Sequence, residues 1–159
     1  MQIFYKQELS EEVMKVLQED TDDPILTTQD FLEDPPLDVV ASVINEACKA
    51  SGVLVFYSHN ICIILRRMNA HIGIFDTHFG KEASLKGVVK AYKEFVEWLP
   101  TGTHYLRVES RTPLEKYAKV MAKAVGASID GVMKDSYRTK DNKMINEYIV
   151  GYNITREIL

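Results

Sequence analysis

The sequence predicts an α/β (α+β) domain built on one mixed, mostly antiparallel sheet flanked by about four helices, in the order β-α-α-β-β-β-α-β-α-β-β. Three observations predict it. Short apolar runs follow one another with two-residue gaps, "HN" and "NA", in "GVLVFYSHNICIILRRMNAHIGIFDTHF", which is hairpin spacing. Two long stretches, "SLKGVVKAYKEFVEWL" and "TPLEKYAKVMAKAVG", instead repeat their apolar residues at helical spacing. The chain then ends in two strand-like runs around "TKDNK". At 159 residues the chain fits one domain, 1–159, with no internal repeat, low-complexity tract or linker.

In order, "QIFYKQ" has short strand character, and Ser10 is placed to cap a helix carrying Val13, Val16 and Leu17 on one face. The acidic, proline-broken stretch "EDTDDPILTTQDFLEDPP" reads as a loop. A second helix follows, with Val39, Val40, Val43, Ile44 and Ala47 as its apolar stripe and Gly52 ending it. "HN" makes a tight turn between the first two central strands. The long helix after the third has Leu85, Val88, Val89, Tyr92, Phe95, Val96 and Leu99 as its stripe, and "PTGT" closes it. "HYLRVES" is a strand. Thr112 then reads as an N-cap, with Pro113 first and Glu115 third in the next helix, and Gly126 as its stop.

Composition narrows the function. Hydrophobic content of 46% and charged content of 26% are those of an ordinary globular protein. A net charge of −4 argues against nucleic acid as a partner, since phosphate contacts need a basic face. No apolar run approaches the ~18 residues that span a bilayer, and the acidic N-terminal stretch is unlike a signal peptide, so a cytoplasmic protein without a membrane partner is expected. Cys48 and Cys62 sit in apolar periodic stretches and read as core residues, and no metal-ligand spacing is present.

The junction "HIGIFDTHFGKEAS" is the stretch with chemistry in it. A helix start offers unpaired N–H groups and about half a positive charge. Gly80 either lets a phosphate approach the amides of Phe79 to Ser84, with Lys81 and the Ser84 hydroxyl helping, or simply permits the turn. Asp76 and His78 alternate onto one strand face, and Glu109 ends the next strand. Each is a candidate general base; the alternatives are turn-capping for Asp76 and His78, and pairing with Arg107 or Arg111 for Glu109.

With these landmarks in place, the chain resembles the GNAT superfamily of acyl-CoA N-acetyltransferases. The resemblance rests on "IFDTHFGKEAS", on "RVESRTPLEKYAKVMAKAVGAS" and on the final "DGVMKDSYRTKDNKMINEYIVGYN", and covers roughly residues 50 to 155. Within the superfamily the chain looks most like divergent GNAT-like proteins of tailed bacteriophages, which share a "GKEA" junction. The resemblance implies acetyl-CoA as co-substrate and direct transfer of its acetyl group to an amine. It places carbonyl-polarising amides near Phe75 to Thr77 and the pyrophosphate at Phe79, Gly80, Lys81, Glu82, Ala83 and Ser84. The family pattern is a basic or amide residue, two spacers, Gly, one spacer, then Gly or Ala. Here, with Ala83 last, the glycine is displaced, and Glu82 adds a negative charge. The family's thiolate-protonating tyrosine lies one turn before the closing glycine. In this chain that place holds Met121 or Ala122; Tyr117 is on the same helix one turn earlier, as a candidate acid or a core residue.

The expected partner is an amine acceptor, a small molecule or a protein such as a host or virion protein, and a homodimer is left open. By analogy the acidic segment 19 to 34 lies near the acceptor groove and hints at a cationic acceptor. The rival expectations are a catalytically inactive GNAT-fold protein serving as a phage structural or host-interaction module, and a coenzyme A sensor.

Overall fold

Where both faces of a strand are covered, its residues must be apolar without alternation, and the middle of this chain has that pattern. In a computed structural model, which describes residues 1–19, 37–138 and 142–155, these strands lie between two pairs of helices. The elements are β1 (Gln2–Phe4), α1 (Glu11–Glu19), α2 (Leu37–Lys49), β2 (Leu54–Ser58), β3 (Ile61–Arg67), β4 (Ile72–Phe79), α3 (Leu85–Gly102), β5 (Arg107–Thr112), α4 (Glu115–Val125), β6 (Ser128–Arg138) and β7 (Met144–Asn153). The order matches the expectation. The seven strands form one sheet in the order β1-β2-β3-β4-β5-β7-β6, antiparallel except where β4 meets β5.

Two apolar clusters sandwich the sheet. Phe56, Ile61, Ile63, Leu65, Phe75, Val108 and Val150 pack against Val88, Tyr92, Phe95 and Leu99 of α3 and Ala118 and Met121 of α4. Val55, Tyr57, Cys62 and Ile64 pack on the other face against Val13, Val16 and Leu17 of α1 and Ala41 and Cys48 of α2. Each large side chain fully buried in this way contributes ~1.5–3 kcal/mol. Both cysteines are buried core residues, as expected.

Local signals behave as chemistry demands. His59 and Asn60 both have positive φ (51° and 61°), the mirror-image turn whose twist suits a two-residue hairpin. The Ser10 hydroxyl accepts from the Val13 N–H at 3.3 Å, and Gly126 ends α4 in the left-handed conformation. Three expectations are corrected. Val39 and Val43 are exposed, so the face that α2 buries is centred on Ala41, Ile44 and Cys48 instead. Pro100 lies inside α3, whose last turn runs on to Gly102. Thr112 is still in β5, paired with Tyr148, so Leu114 takes the N-cap position; the Thr112 hydroxyl accepts from the Leu114 N–H at 3.1 Å before the helix starts. The acidic loop, residues 20–36, and part of the final turn, 139–141, lie outside the described residues.

Candidate active site at the split between β4 and β5

The two parallel strands at the centre of the sheet are joined only at one end. Ile72, Gly73 and Ile74 pair with Arg107, Val108 and Glu109, and no pair between the strands follows. Beyond that point β4 stays on β3 as far as Phe79, and β5 stays on β7 as far as Thr112. The joined end is tightly packed: a Cβ on Gly73 would lie 2.9 Å from the Tyr105 ring and from Leu65. The open end leaves backbone on both lips of a wedge, and the strand-ends of a parallel pair are where ligands enter such sheets.

Strand alternation distributes the side chains between two faces. Asp76 and His78 are register partners of Ile64 and Cys62, which pack under α1 and α2, so both lie on that face. Glu109, beside Ile74, shares it, because Val108, Ser110 and Thr112 are the buried residues of β5. The three base candidates are thus brought to one side of the split. Asp76 is exposed, 3.8 Å from Arg66 Nε. His78 is half-buried, with Nδ1 shielded from solvent.

Glu109 resolves its alternatives in favour of Arg107. Arg107 Nε donates to it at 3.0 Å, while the same guanidinium also reaches Asn153 at 2.9 Å and Asp130. The arginine crosses β7 over Gly151, where any Cβ would collide with its guanidinium. The Ser128 hydroxyl, donating at 2.6 Å, and then Arg107 hold the Asp130 carboxyl below the usual range. The Glu109–Arg107 pair was one of the sequence alternatives; the parts played by Asp130, Asn153 and Gly151 were not read, although a glycine inside a strand is a signal of close approach.

Tyr117 stands on the opposite face. It is buried, edge-on to Phe79 with ring centroids 5.9 Å apart, and its hydroxyl meets that of Tyr92. Tyr92 in turn lies 2.5 Å from the Thr77 hydroxyl on β4. Burial pushes the Tyr117 phenol up. A chain of three hydroxyls therefore spans β4, α3 and α4 on the helix side of the wedge. Only Tyr117 was singled out from sequence, since Tyr92 sits in an apolar helical stripe.

The junction itself differs from a bare phosphate loop. The Gly80 N–H donates to the Asn60 carbonyl at 2.9 Å, and a Cβ there would lie 3.2 Å from that oxygen and from Val16. Close packing therefore favours a glycine here. The Lys81 N–H meets Glu19 at 3.3 Å, and the Ala83 N–H returns to the Gly80 carbonyl at 3.0 Å. The Ser84 hydroxyl is the N-cap of α3, accepting from the Gly87 N–H at 3.1 Å. The N–H groups of Leu85 and Lys86 have no acceptor among the described residues, at the positive end of an 18-residue helix. Lys81, Glu82 and Lys86 are exposed around it, and the side chains of Phe75 and Phe79 are core.

A second polar group ties α3 to the β2–β3 turn. Glu94 accepts from the buried Ser58 hydroxyl, and His59 Nε2 lies 3.2 Å from its other oxygen. Ser58 first, and then His59, hold the Glu94 carboxyl below its ordinary range. Among the described residues there is no group of three or more metal-ligating side chains, and no helix long and apolar enough to cross a membrane.

This architecture, a mostly antiparallel sheet split at one parallel step and flanked by four helices, is the GNAT fold. Solved structures of that fold superpose over nearly the whole chain. Ribosomal-protein-S5-alanine acetyltransferase from Vibrio fischeri matches with a TM-score of 0.67 at 13% identity, covering 96% of this chain and 91% of the other. Phosphinothricin acetyltransferase from Sinorhizobium meliloti, solved with acetyl-CoA, gives 0.69 at 12% identity over 96% and 88%. A variant of spermidine N-acetyltransferase from Vibrio cholerae gives 0.70 at 8% identity over 96% and 92%. No protein-family model matches the chain, and no curated protein does.

Proposed function

We propose that this chain is an acetyl-CoA-dependent N-acetyltransferase moving an acetyl group directly to an amine. The observation that carries the proposal is the parallel split that opens towards the capped N-terminus of α3. Its open lip supplies backbone N–H groups around Phe75 to Thr77, suited to polarise a thioester carbonyl. The junction Phe79–Ser84 leads into the helix, where the Leu85 and Lys86 amides face a diphosphate with Lys81 beside them. Gly80, Ala83 and Ser84 shape this turn for the ligand, and the Glu82 carboxylate points to solvent.

In the transfer, the amine nitrogen forms a bond to the thioester carbonyl carbon and the carbon–sulfur bond breaks. The nitrogen gives up one proton and the departing thiolate takes one. Asp76 and His78, on the α1–α2 face, are the groups we assign to accept the amine proton, with Glu109 held by Arg107 at the apex. Tyr117, on the other face, is the acid for the thiolate, its burial keeping the phenol protonated. No covalent enzyme intermediate is needed.

A second reading has its own observation. The amides of Gly80 and Lys81 are engaged within the chain, and the Tyr92–Tyr117 contact fills the helix side of the wedge. A protein that kept the fold and lost the chemistry, as a phage-type structural or host-interaction module, would look like this. A cofactor sensor is the intermediate case. Calorimetric titration with acetyl-CoA separates them: micromolar binding supports enzyme or sensor, and thiol release with an amine panel then divides those two. No binding at millimolar ligand would leave the scaffold.

A further inference from the structure

The two lips of the split carry opposite charges on the α1–α2 face. Asp76 lies two residues past Ile74 on β4 and Arg111 two residues past Glu109 on β5, one on each lip just beyond the last β4–β5 pair. Strand alternation puts both side chains on the face that Glu109 occupies, and both are exposed. Among the described residues, the apolar cluster beneath α1 and α2 draws on β2 and β3 and takes no residue from β5, β6 or β7, and Arg111 is the exposed residue of β5 on that face. A solute reaching the wedge from this side passes between a carboxylate and a guanidinium.

The charges on this face are unequally committed. Arg107 is shared among Glu109, Asp130 and Asn153 and lies four-fifths buried, so its donors are spent on the protein. Arg66 and Asp76 approach at 3.8 Å with both side chains more than half exposed, a contact weak enough for a ligand to replace. Arg111 has no hydrogen-bond or ion-pair partner among the described residues. It also stands two residues beyond the apex, on the lip itself.

From this geometry we infer that Arg111 selects the acceptor, and that the acceptor is a small amine carrying a carboxylate near its amino group. The inference rests on the acetyltransferase proposal and names its acceptor class. The ammonium is drawn to Asp76, on the strand whose amides face the thioester, and the carboxylate is met by the planar fork of Arg111 across the split. A polyamine, by contrast, has nothing to offer Arg111 and meets like charge there. The acceptors named for the structural neighbours, an alanine of a ribosomal protein, phosphinothricin and spermidine, differ too much in charge to decide this.

The test uses the intact chain and paired acceptors that differ only by a carboxylate: lysine with cadaverine, and phenylalanine with phenethylamine. Acetyl-CoA binding is measured first, by calorimetry, on the wild type, Arg111→Gln and Arg111→Lys; equal affinities within about twofold are expected because Arg111 faces the acceptor side. Thiol release at saturating acetyl-CoA then gives kcat/KM for each acceptor. The wild type is expected to favour the carboxylate-bearing member of a pair at least tenfold. Arg111→Gln should erase that preference through KM, Arg111→Lys should restore part of it, and thermal unfolding should not move. A wild-type preference for cadaverine, an unchanged ratio in Arg111→Gln, or no turnover of any pair by a protein that binds acetyl-CoA would each overturn the assignment of Arg111. Failure to bind acetyl-CoA would overturn the parent proposal and this one with it, and is seen before any acceptor is added.

Discussion

The two halves of the sheet are built on different rules. In β2 and β3 nearly every residue is buried, because α1 and α2 cover one face and α3 the other. In β5 buried Val108, Ser110 and Thr112 alternate with half-buried Arg107 and Glu109 and exposed Arg111, which share the outward face. β4 is the boundary, apolar through Phe75 and polar at Asp76 and His78. The first half can only be structure, since charge there would be desolvated on both sides. The second half places charged residues on one face, and it is there that charge sits beside an unpaired strand edge.

The largest test of this contrast lies in the covered half. Phe95 is fully buried and packs edge-on against Phe56 and Phe75, with centroids 5.4 Å away in both cases. Phe95→Ala is expected to cost ~3–5 kcal/mol in denaturant unfolding. A loss under about 1 kcal/mol would mean that the helix layer is not packed as described.

At the boundary, Tyr92→Phe removes the hydroxyl between Thr77 and Tyr117 and leaves both without that partner, which should cost ~1–3 kcal/mol. A neutral or stabilising effect would show that the three hydroxyls are not linked in solution. Smaller still is Gly80→Ala, at ~1 kcal/mol, because its new methyl meets the Asn60 carbonyl and Val16 at 3.2 Å. If that variant instead kept full stability and lost acetyl-CoA affinity, the glycine would belong to the ligand and not to packing.

The smallest expected effect is on pH. Glu94 has a folded pKa below its unfolded value of about 4.3. Its contribution is therefore complete above that pH and disappears as the pH falls through the folded value. Glu94→Gln should lower stability at pH 7 slightly and flatten the acid limb of a plot of melting temperature against pH. An unchanged acid limb would show that Ser58 and His59 do not hold this carboxylate.

The legibility of the sequence follows the same division. Periodicity is strong where burial is enforced, so element order, the "HN" turn, Ser10 and Gly126 were all readable. The strand-to-helix junction was readable as a place. The work done by its residues was not, because Asn60, Glu19 and Val16 reach Gly80 and Lys81 from other elements. Thr112 and Pro100 show the limit of local rules: pairing with β7 kept the first in a strand, and a proline in the last helical turn did not stop α3. Tyr92 hid its polar role inside an apolar stripe, and Arg107 and Gly151, far apart in sequence, met only through the β5–β7 register.

The split is the centre of this account, and amide chemical-shift mapping of the 15N-labelled chain with acetyl-CoA tests it most directly. The expected result is saturable shifts at Phe75 to Thr77 on β4 and at Leu85 to Gly87 on α3, with the amides of β1 and α2 unmoved. Shifts confined to α2 or the β6 edge, or none at millimolar ligand, would contradict it.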